Sequence, residues 1–243
     1  MRDTDKLARL QSIISGSPNI LFFVNDSVST ESGIPDFRSV DGLYNQQYDY
    51  PPEEILSYSF YRRNKAEFYR FHRAKMLPEG IKPNPAHQKL AELEKAGKLK
   101  AVITQNIDGL HQLAGSQTVV ELHGNVHRNF CESCGKLYDS AYVRNSEGIP
   151  RCEACGGDIK PDVVLYEEPL NDRSVMDAVR YISEADTLII GGTSLAVWPA
   201  AGLVDYFTGR NLVVINREPP QKSTKADLTI NDSIGKVLGA ITV

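Results

Sequence analysis

Four of the 243 residues are cysteines, and they form two Cys-x2-Cys pairs, Cys131/Cys134 and Cys152/Cys155, with 17 residues between the pairs. Each pair can aim two thiolates at one point, and two such pairs complete a tetrahedron around zinc. Gly135, Gly156 and Gly157 follow the pairs, where a residue without Cβ lets backbone approach sulfur. Four thiolates close the coordination shell and leave no position for water, so the expected zinc is structural. The competing reading is two unrelated redox dithiols. The shared spacing argues against it, as does the position of both pairs away from the start of a helix in a βα unit.

Other chemistry-bearing residues gather just after apolar runs. Ile20–Val24 leads into Asn25-Asp-Ser-Val-Ser-Thr-Glu-Ser-Gly-Ile-Pro-Asp-Phe-Arg38, and Leu99–Thr104 into Gln105-Asn-Ile-Asp-Gly-Leu-His111. Val119–Leu122 carries Glu121-Leu-His-Gly124, and Thr187–Ile190 is followed by Gly191-Gly-Thr-Ser-Leu195. In a parallel sheet, strand carboxyl ends are where ligands bind. A Gly-Gly-Thr-Ser loop lets backbone and hydroxyls meet a phosphate or a ribose. Of the five histidines, only His123 stands at a strand end beside a glycine. An imidazole titrates close to neutral pH, which suits a general base. His72, His87 and His111 read as packing or buttressing residues. His127 precedes the first cysteine pair, whose four thiolates already fill the shell.

Positioning these groups calls for an α/β fold. Asp5–Ile14 has helical periodicity, Pro51-Pro-Glu-Glu starts a helix, Phe60–Met76 is an aromatic helical stretch, and Asn84-Pro85 opens a helix ending at Gly97. Strands are expected at Ile20–Val24, Leu99–Thr104, Val119–Leu122, Asp162–Leu165, Thr187–Ile190 and Leu212–Ile215. Alternation with helices implies a Rossmann-like parallel sheet covered on both faces. Residues 1–39, 81–126 and 158–243 are assigned to that domain. A helical insertion at 40–80 and a zinc-ribbon insertion at 127–157 form a smaller one, with a cleft between.

A hydrophobic content of 41% supports a sizeable core. A net charge of −4 argues against wrapping a nucleic-acid backbone. No run approaches the ~20 apolar residues of a membrane span, and the charged MRDTDKLARL start has no apolar signal core. A cytoplasmic protein with reduced thiols is the expectation.

The motifs STESGIPDFRS (29–39), KPNPAH (82–87), TQNIDGLH (104–111), ELHG (121–124), KPDVVLYEE (160–168) and GTSL (192–195), interleaved with the two cysteine pairs, resemble the sirtuins, NAD-dependent protein-lysine deacylases. The resemblance runs from Ile20 to Leu238 and leans towards the branch of low-GC Gram-positive bacteria. It implies NAD as co-substrate, structural Zn, and acylated lysines in proteins as partners. It places His123 as the base, with Asn106 and Asp108 in the catalytic set. Phe37, Ile107 and Asp108 are implied around nicotinamide, and Thr30, Arg38, Gln105 and Asn106 around ribose and phosphates. Gly192, Thr193, Ser194, Asn216 and Ile234 are implied on the adenosine side. Val163, Val164, Leu165 and Tyr166 are implied as the strand that pairs with the substrate peptide. In the implied reaction the acyl-lysine oxygen attacks the anomeric carbon, nicotinamide leaves, and His123 activates a ribose hydroxyl that takes the acyl group.

The chain departs from the family where Gly-Ala-Gly ordinarily follows the first strand. Asn25-Asp26-Ser27 stands there. Asn and Asp tolerate left-handed φ, so the turn is expected to survive, but their side chains and one negative charge should weaken NAD binding. Arg217 and the residues after it also differ from the usual pattern. Two alternatives therefore stay open at this point: an NAD sensor or binding module with little turnover, and a protein ADP-ribosyltransferase.

Overall fold

The computed structural model describes residues 3–25, 27–35, 50–77, 79–192, 200–217 and 226–243. The chain opens with helix α1 (Asp3–Gly16), strand β1 (Ile20–Val24) and a short α2 (Ser27–Thr30). A helical segment follows as α3 (Pro52–Ile55), α4 (Tyr58–Arg63), α5 (Lys65–Phe71) and a π-turn at His72–Met76. The aromatic stretch is thus not one helix. Asn64 ends α4 and its side chain caps α5 by accepting from the Glu67 N–H at 3.3 Å.

Next come α6 (Pro85–Lys95), β2 (Leu99–Thr104), α7 (Leu110–Ala114) and β3 (Val119–Glu121). The cysteine module is built on β4 (Gly124–Cys131), β5 (Leu137–Asp139), α8 (Ser140–Asn145) and β6 (Ile159–Val163). The chain closes with α9 (Asp172–Glu184), β7 (Thr187–Gly191), α10 (Ala200–Leu203), β8 (Asn211–Ile215), β9 (Leu228–Ile230) and α11 (Ile234–Gly239). Among the described residues no helix is long and apolar enough to cross a membrane.

Six strands form a parallel sheet in the order β3-β2-β1-β7-β8-β9. Central strand β1 is apolar throughout because it is buried on both faces. Ile20, Phe22 and Val24 pack with α1, α6 and α11 on one side, while Leu21 and Phe23 pack with α9 on the other. The strand order reverses between β1 and β7, which opens a crevice at their carboxyl ends.

One expected strand belongs elsewhere. The run assigned to Asp162–Leu165 of the parallel sheet is instead β6, an antiparallel edge of a second sheet ordered β5-β4-β6. Pro161 cannot donate to a ladder and is confined to edges. This small sheet and the helical segment share one core, from Ile55, Phe60, Phe68 and Phe71 to Val126, Ile159 and Leu165.

Candidate active site

The crevice is lined first by the loop after β1. The Asn25 N–H donates to Gly191 O at 3.4 Å, and Thr30 Oγ1 donates back to Ser27 O at 2.9 Å. Asn25 is not among the residues with positive φ, so the tolerance of asparagine for the left-handed region is not called on there; Asp26 lies outside the described residues. The backbone at 25 therefore needs no glycine. Opposite, Gly192 has φ +63, and a Cβ on it would come within 2.9 Å of Ile234 Cδ1, 3.0 Å of Ser27 Cβ and 3.1 Å of Val28 N. Ile234, almost fully buried in α11, thus flanks this turn. Gly192 N–H donates to Ile215 O at 3.1 Å, which sets Asn216 next to it at the end of β8.

The loop after β2 supplies a polar network. Gln105 N–H donates to Val24 O at 3.1 Å, and Thr104 Oγ1 accepts the Asn106 N–H at 3.0 Å. Asn106 Nδ2 donates to Ser29 Oγ at 2.8 Å, and Ser29 Oγ donates to Asp108 Oδ2 at 2.6 Å. Asp108 Oδ1 accepts the Leu110 N–H at 2.8 Å, so the carboxylate also caps α7. Ile107 O accepts from Val126 N at 2.9 Å and ties the loop to β4.

Sequence reasoning did not single out Ser29, nor the anchor behind it. Asn84 Nδ2 donates to Val28 O at 2.6 Å and to Ser32 Oγ at 3.0 Å, while its Oδ1 accepts from Ala86 N and His87 N at the start of α6. The signal was in KPNPAH, since Asn before Pro is a helix N-cap pattern. His87 then packs against His111 with ring centroids 4.7 Å apart. Burial pushes the His87 imidazole down to about 4, against the pull of Asp108, and lowers His111 well below its usual range.

Two acceptors in this network have no partner. Gln105 Oε1 and Asn106 Oδ1 are both buried and unpaired among the described residues. Each orphan costs about 1–3 kcal/mol unless a donor arrives. An amide N–H or a ribose hydroxyl supplies such a donor, so a nicotinamide dinucleotide fits the crevice.

His123 sits on the same edge and is partly buried. Its Nδ1 lies 3.0 Å from Gln105 O. A carbonyl only accepts, so Nδ1 carries the hydrogen and Nε2 keeps the lone pair of a base. Burial lowers the His123 pKa, and the Gln105 hydrogen bond opposes that shift. Gly124 follows with φ +78, and a Cβ there would run into the Asp162 carbonyl of β6. His127 is no metal ligand: its ring nitrogens face Ser140 Oγ at 3.1 Å and Asp108 O at 3.0 Å.

Beyond β6 the chain runs beside His123, with the Val164 N–H donating to His123 O at 3.0 Å. Lys160 Nζ donates to Val163 O at 3.1 Å and pairs with Glu168 at 3.0 Å, and Glu168 accepts the Leu165 N–H at 2.8 Å. Tyr166 N–H donates to Leu56 O at 3.0 Å, and Tyr166 O accepts from Tyr58 N at 2.9 Å. Main-chain pairing by the whole Val163–Tyr166 run is therefore narrowed, because Tyr166 already has partners. The Val164 carbonyl has none among the described residues.

The four cysteine sulfurs lie within 4.8 Å of one another, with Cys131–Cys155 at 3.4 Å and Cys134–Cys152 at 3.6 Å. Four sulfurs about 2.3 Å from a tetrahedral ion stand roughly 3.8 Å apart, so the set can hold one metal ion. The two turns match: Gly135 N–H donates to Cys131 O at 2.9 Å and Gly156 N–H to Cys152 O at 2.8 Å. The cysteines form no disulfide. Phe37, Arg38, Thr193 and Ser194 lie outside the described residues.

Residues 26–199 match the Sir2 family. An NAD-dependent protein deacetylase of Clostridium perfringens is 57% identical over 240 residues, covering 98% of both chains, and one of Clostridium acetobutylicum is 55% identical with the same coverage. A Sir2–p53 peptide–NAD+ structure is 35% identical, with a TM-score of 0.83 over 96% of this chain and 95% of the other.

Proposed function

The chain belongs to the Sir2 family, and on that premise we propose that it is an NAD-dependent protein deacetylase that removes acyl groups from lysine and releases nicotinamide and O-acyl-ADP-ribose. The observation that carries the assignment of roles is the joint geometry of Gln105, Asn106 and His123. One loop presents two unpaired buried acceptors, and its own backbone fixes the tautomer of the base.

Each residue then has a task. Gln105, Asn106 and Asp108 hold the nicotinamide riboside, with Ile107, Thr30, Phe37 and Arg38 around it. Gly192, Thr193, Ser194, Asn216 and Ile234 take the adenosine side. Val164, through its free carbonyl, accepts an N–H of the acyl-lysine, while Val163, Leu165 and Tyr166 shape the channel. His123 Nε2 removes a proton from a ribose hydroxyl, and that oxygen then attacks the acyl carbon. Burial keeps the ring neutral and ready to accept at pH 7.

Cys131, Cys134, Cys152 and Cys155 would hold a structural zinc that fixes the small lobe and takes no part in the reaction. Unpaired thiols committed to a metal suit the reducing cytoplasm.

The test is to incubate the protein with NAD and an acetyl-lysine peptide and to follow products by mass spectrometry. Equimolar nicotinamide, free lysine peptide and O-acetyl-ADP-ribose are expected. NAD cleavage with ADP-ribose attached to protein, and no deacetylated peptide, would refute the assignment.

A further inference from the structure

Among the described non-glycine residues only Glu167 has a positive φ, +77°. It occupies the third position of a turn closed by Glu168 N–H donating to Leu165 O at 3.0 Å. Turns of this kind take glycine there, because Cβ crowds the left-handed backbone. A strained residue persists only where its surroundings over-determine it. Here the surroundings are visible. Glu167 Oε2 accepts the Ser59 N–H at 2.8 Å, and Oε1 accepts the Ser59 hydroxyl at 2.9 Å. The main chain beside it forms an isolated parallel bridge between Ser57 and Tyr166.

The location gives the strain a purpose. Glu167 follows the Val163–Tyr166 run at once, and Ser59 lies at the start of α4 in the helical segment. The carboxylate therefore latches the helical segment onto the run that lies beside His123. On the far side of the turn, Glu168 doubles back onto Leu165 N and Lys160 Nζ. The two adjacent glutamates pull in different directions: one anchors the turn to its own strand, the other to the opposite wall.

We propose that Glu167 is a positioning residue for the acyl-lysine substrate, a clasp that joins the two walls of its channel and aims the Val164 carbonyl. The proposal rests on the deacetylase reading of that run. The clasp uses a residue that the turn itself disfavours, so turn stability and channel geometry pull against each other at one side chain.

The experiment compares wild type, Glu167→Gly, Glu167→Gln and Ser59→Ala by steady-state deacetylation, with KM measured separately for acetyl-lysine peptide and for NAD, alongside thermal unfolding. Glycine relieves the backbone but removes the clasp. Its expected signature is a Tm equal to or above wild type with a peptide KM raised about tenfold, the effect of losing about 1.4 kcal/mol, and an NAD KM within about twofold. Glutamine keeps the acceptor for Ser59 N–H and should restore most of the peptide KM, with Ser59→Ala between the two. A Glu167→Gly peptide KM within about twofold of wild type would overturn the proposal. So would a fall in Tm with both KM values rising together, which is the mark of a merely structural role. Wild type that turns over no peptide would refute the deacetylase reading itself, a result separable from either.

Discussion

Asn84 offers a sharp quantitative test, because its one side chain serves two elements. Its Oδ1 caps α6, and its Nδ2 holds the loop after β1 through Val28 O and Ser32 Oγ. Asn84→Ala removes the cap, worth about 1 kcal/mol. It also strands the Val28 carbonyl, worth about 1–3 kcal/mol in a buried site. The sum is about 2–4 kcal/mol, which for a chain of this size is a Tm drop of roughly 5–15 °C. Asn84→Asp separates the two contributions. An aspartate caps as well as asparagine and favours the helix N-terminus, but it turns an oxygen towards the Val28 carbonyl in place of a donor. The aspartate variant should therefore keep α6 yet loosen the β1 loop. Chemical unfolding monitored by circular dichroism gives the stabilities, and calorimetric titration gives NAD affinity. Asn84→Asp should lose at least about tenfold in NAD affinity while destabilising less than alanine. Equal unfolding of the two variants, or an alanine loss below about 0.5 kcal/mol, would refute the reasoning.

Other outcomes follow from the same geometry. His123→Ala should abolish deacetylation while retaining NAD binding by calorimetry. In wild type, kcat should fall only as pH drops through the lowered His123 pKa, so a half-point above pH 7 in the pH–rate profile would contradict the base assignment. Ser27→Gly, which clears the Cβ facing Gly192, should tighten NAD binding by up to about tenfold, and unchanged or weaker binding in a titration would remove steric crowding as a cost of that turn. Cys134→Ser should bind no stoichiometric zinc by elemental analysis and lose activity with the fold of the small lobe; full activity in a zinc-free protein would show the ion dispensable. His72, buried with both ring nitrogens unpaired among the described residues, is pushed down to about 3 by burial, and His87 and His111 are also lowered. Their unfolded forms take up protons below pH ~6.5 while the folded forms do not, so this stability is present above that value and lost as pH falls. The slope is about 1.4 kcal/mol per pH unit for each proton. His72→Phe should flatten the slope by one proton between pH ~6 and ~4, and an unaltered slope in denaturant titrations would place the proton uptake elsewhere.

What the sequence reveals depends on whether a signal is local. β1 and β2 are continuous apolar runs buried on both faces, and their bounds are readable without a structure. The cysteine pairs are readable because spacing alone defines the turn. The break at Asn64 was also written locally, as Asn with Glu three residues on, but the aromatic periodicity on either side outweighs it. β6 misleads because Val163-Val164-Leu165 looks like a buried strand. Pro161 marks it as an edge, and only its partner β4 decides which sheet it joins. The Ser29–Asn106–Asp108 network and the reach of Asn84 across to Val28 are tertiary, so no spacing announces them. The left-handed backbone of Glu167 is likewise invisible, since a position of this kind favours glycine and glutamate gives no sign of it.

The order of strands around β1 also governs how the chain is made. β1 has β2 as one neighbour and β7 as the other, yet Thr187 of β7 comes 163 positions after Val24. At ribosomal speeds of about 5–20 residues per second, that interval lasts roughly 10–30 s. Once Glu121 has been made, β3, β2 and β1 can assemble, and until β7 follows the flank of Ile20–Val24 that awaits it has no partner. An unpaired apolar strand edge is a template for wrong associations. The nascent protein must pass through a half-sheet whose stickiest edge is its future centre, so chains interrupted before β7 should be far more prone to aggregate than the finished molecule.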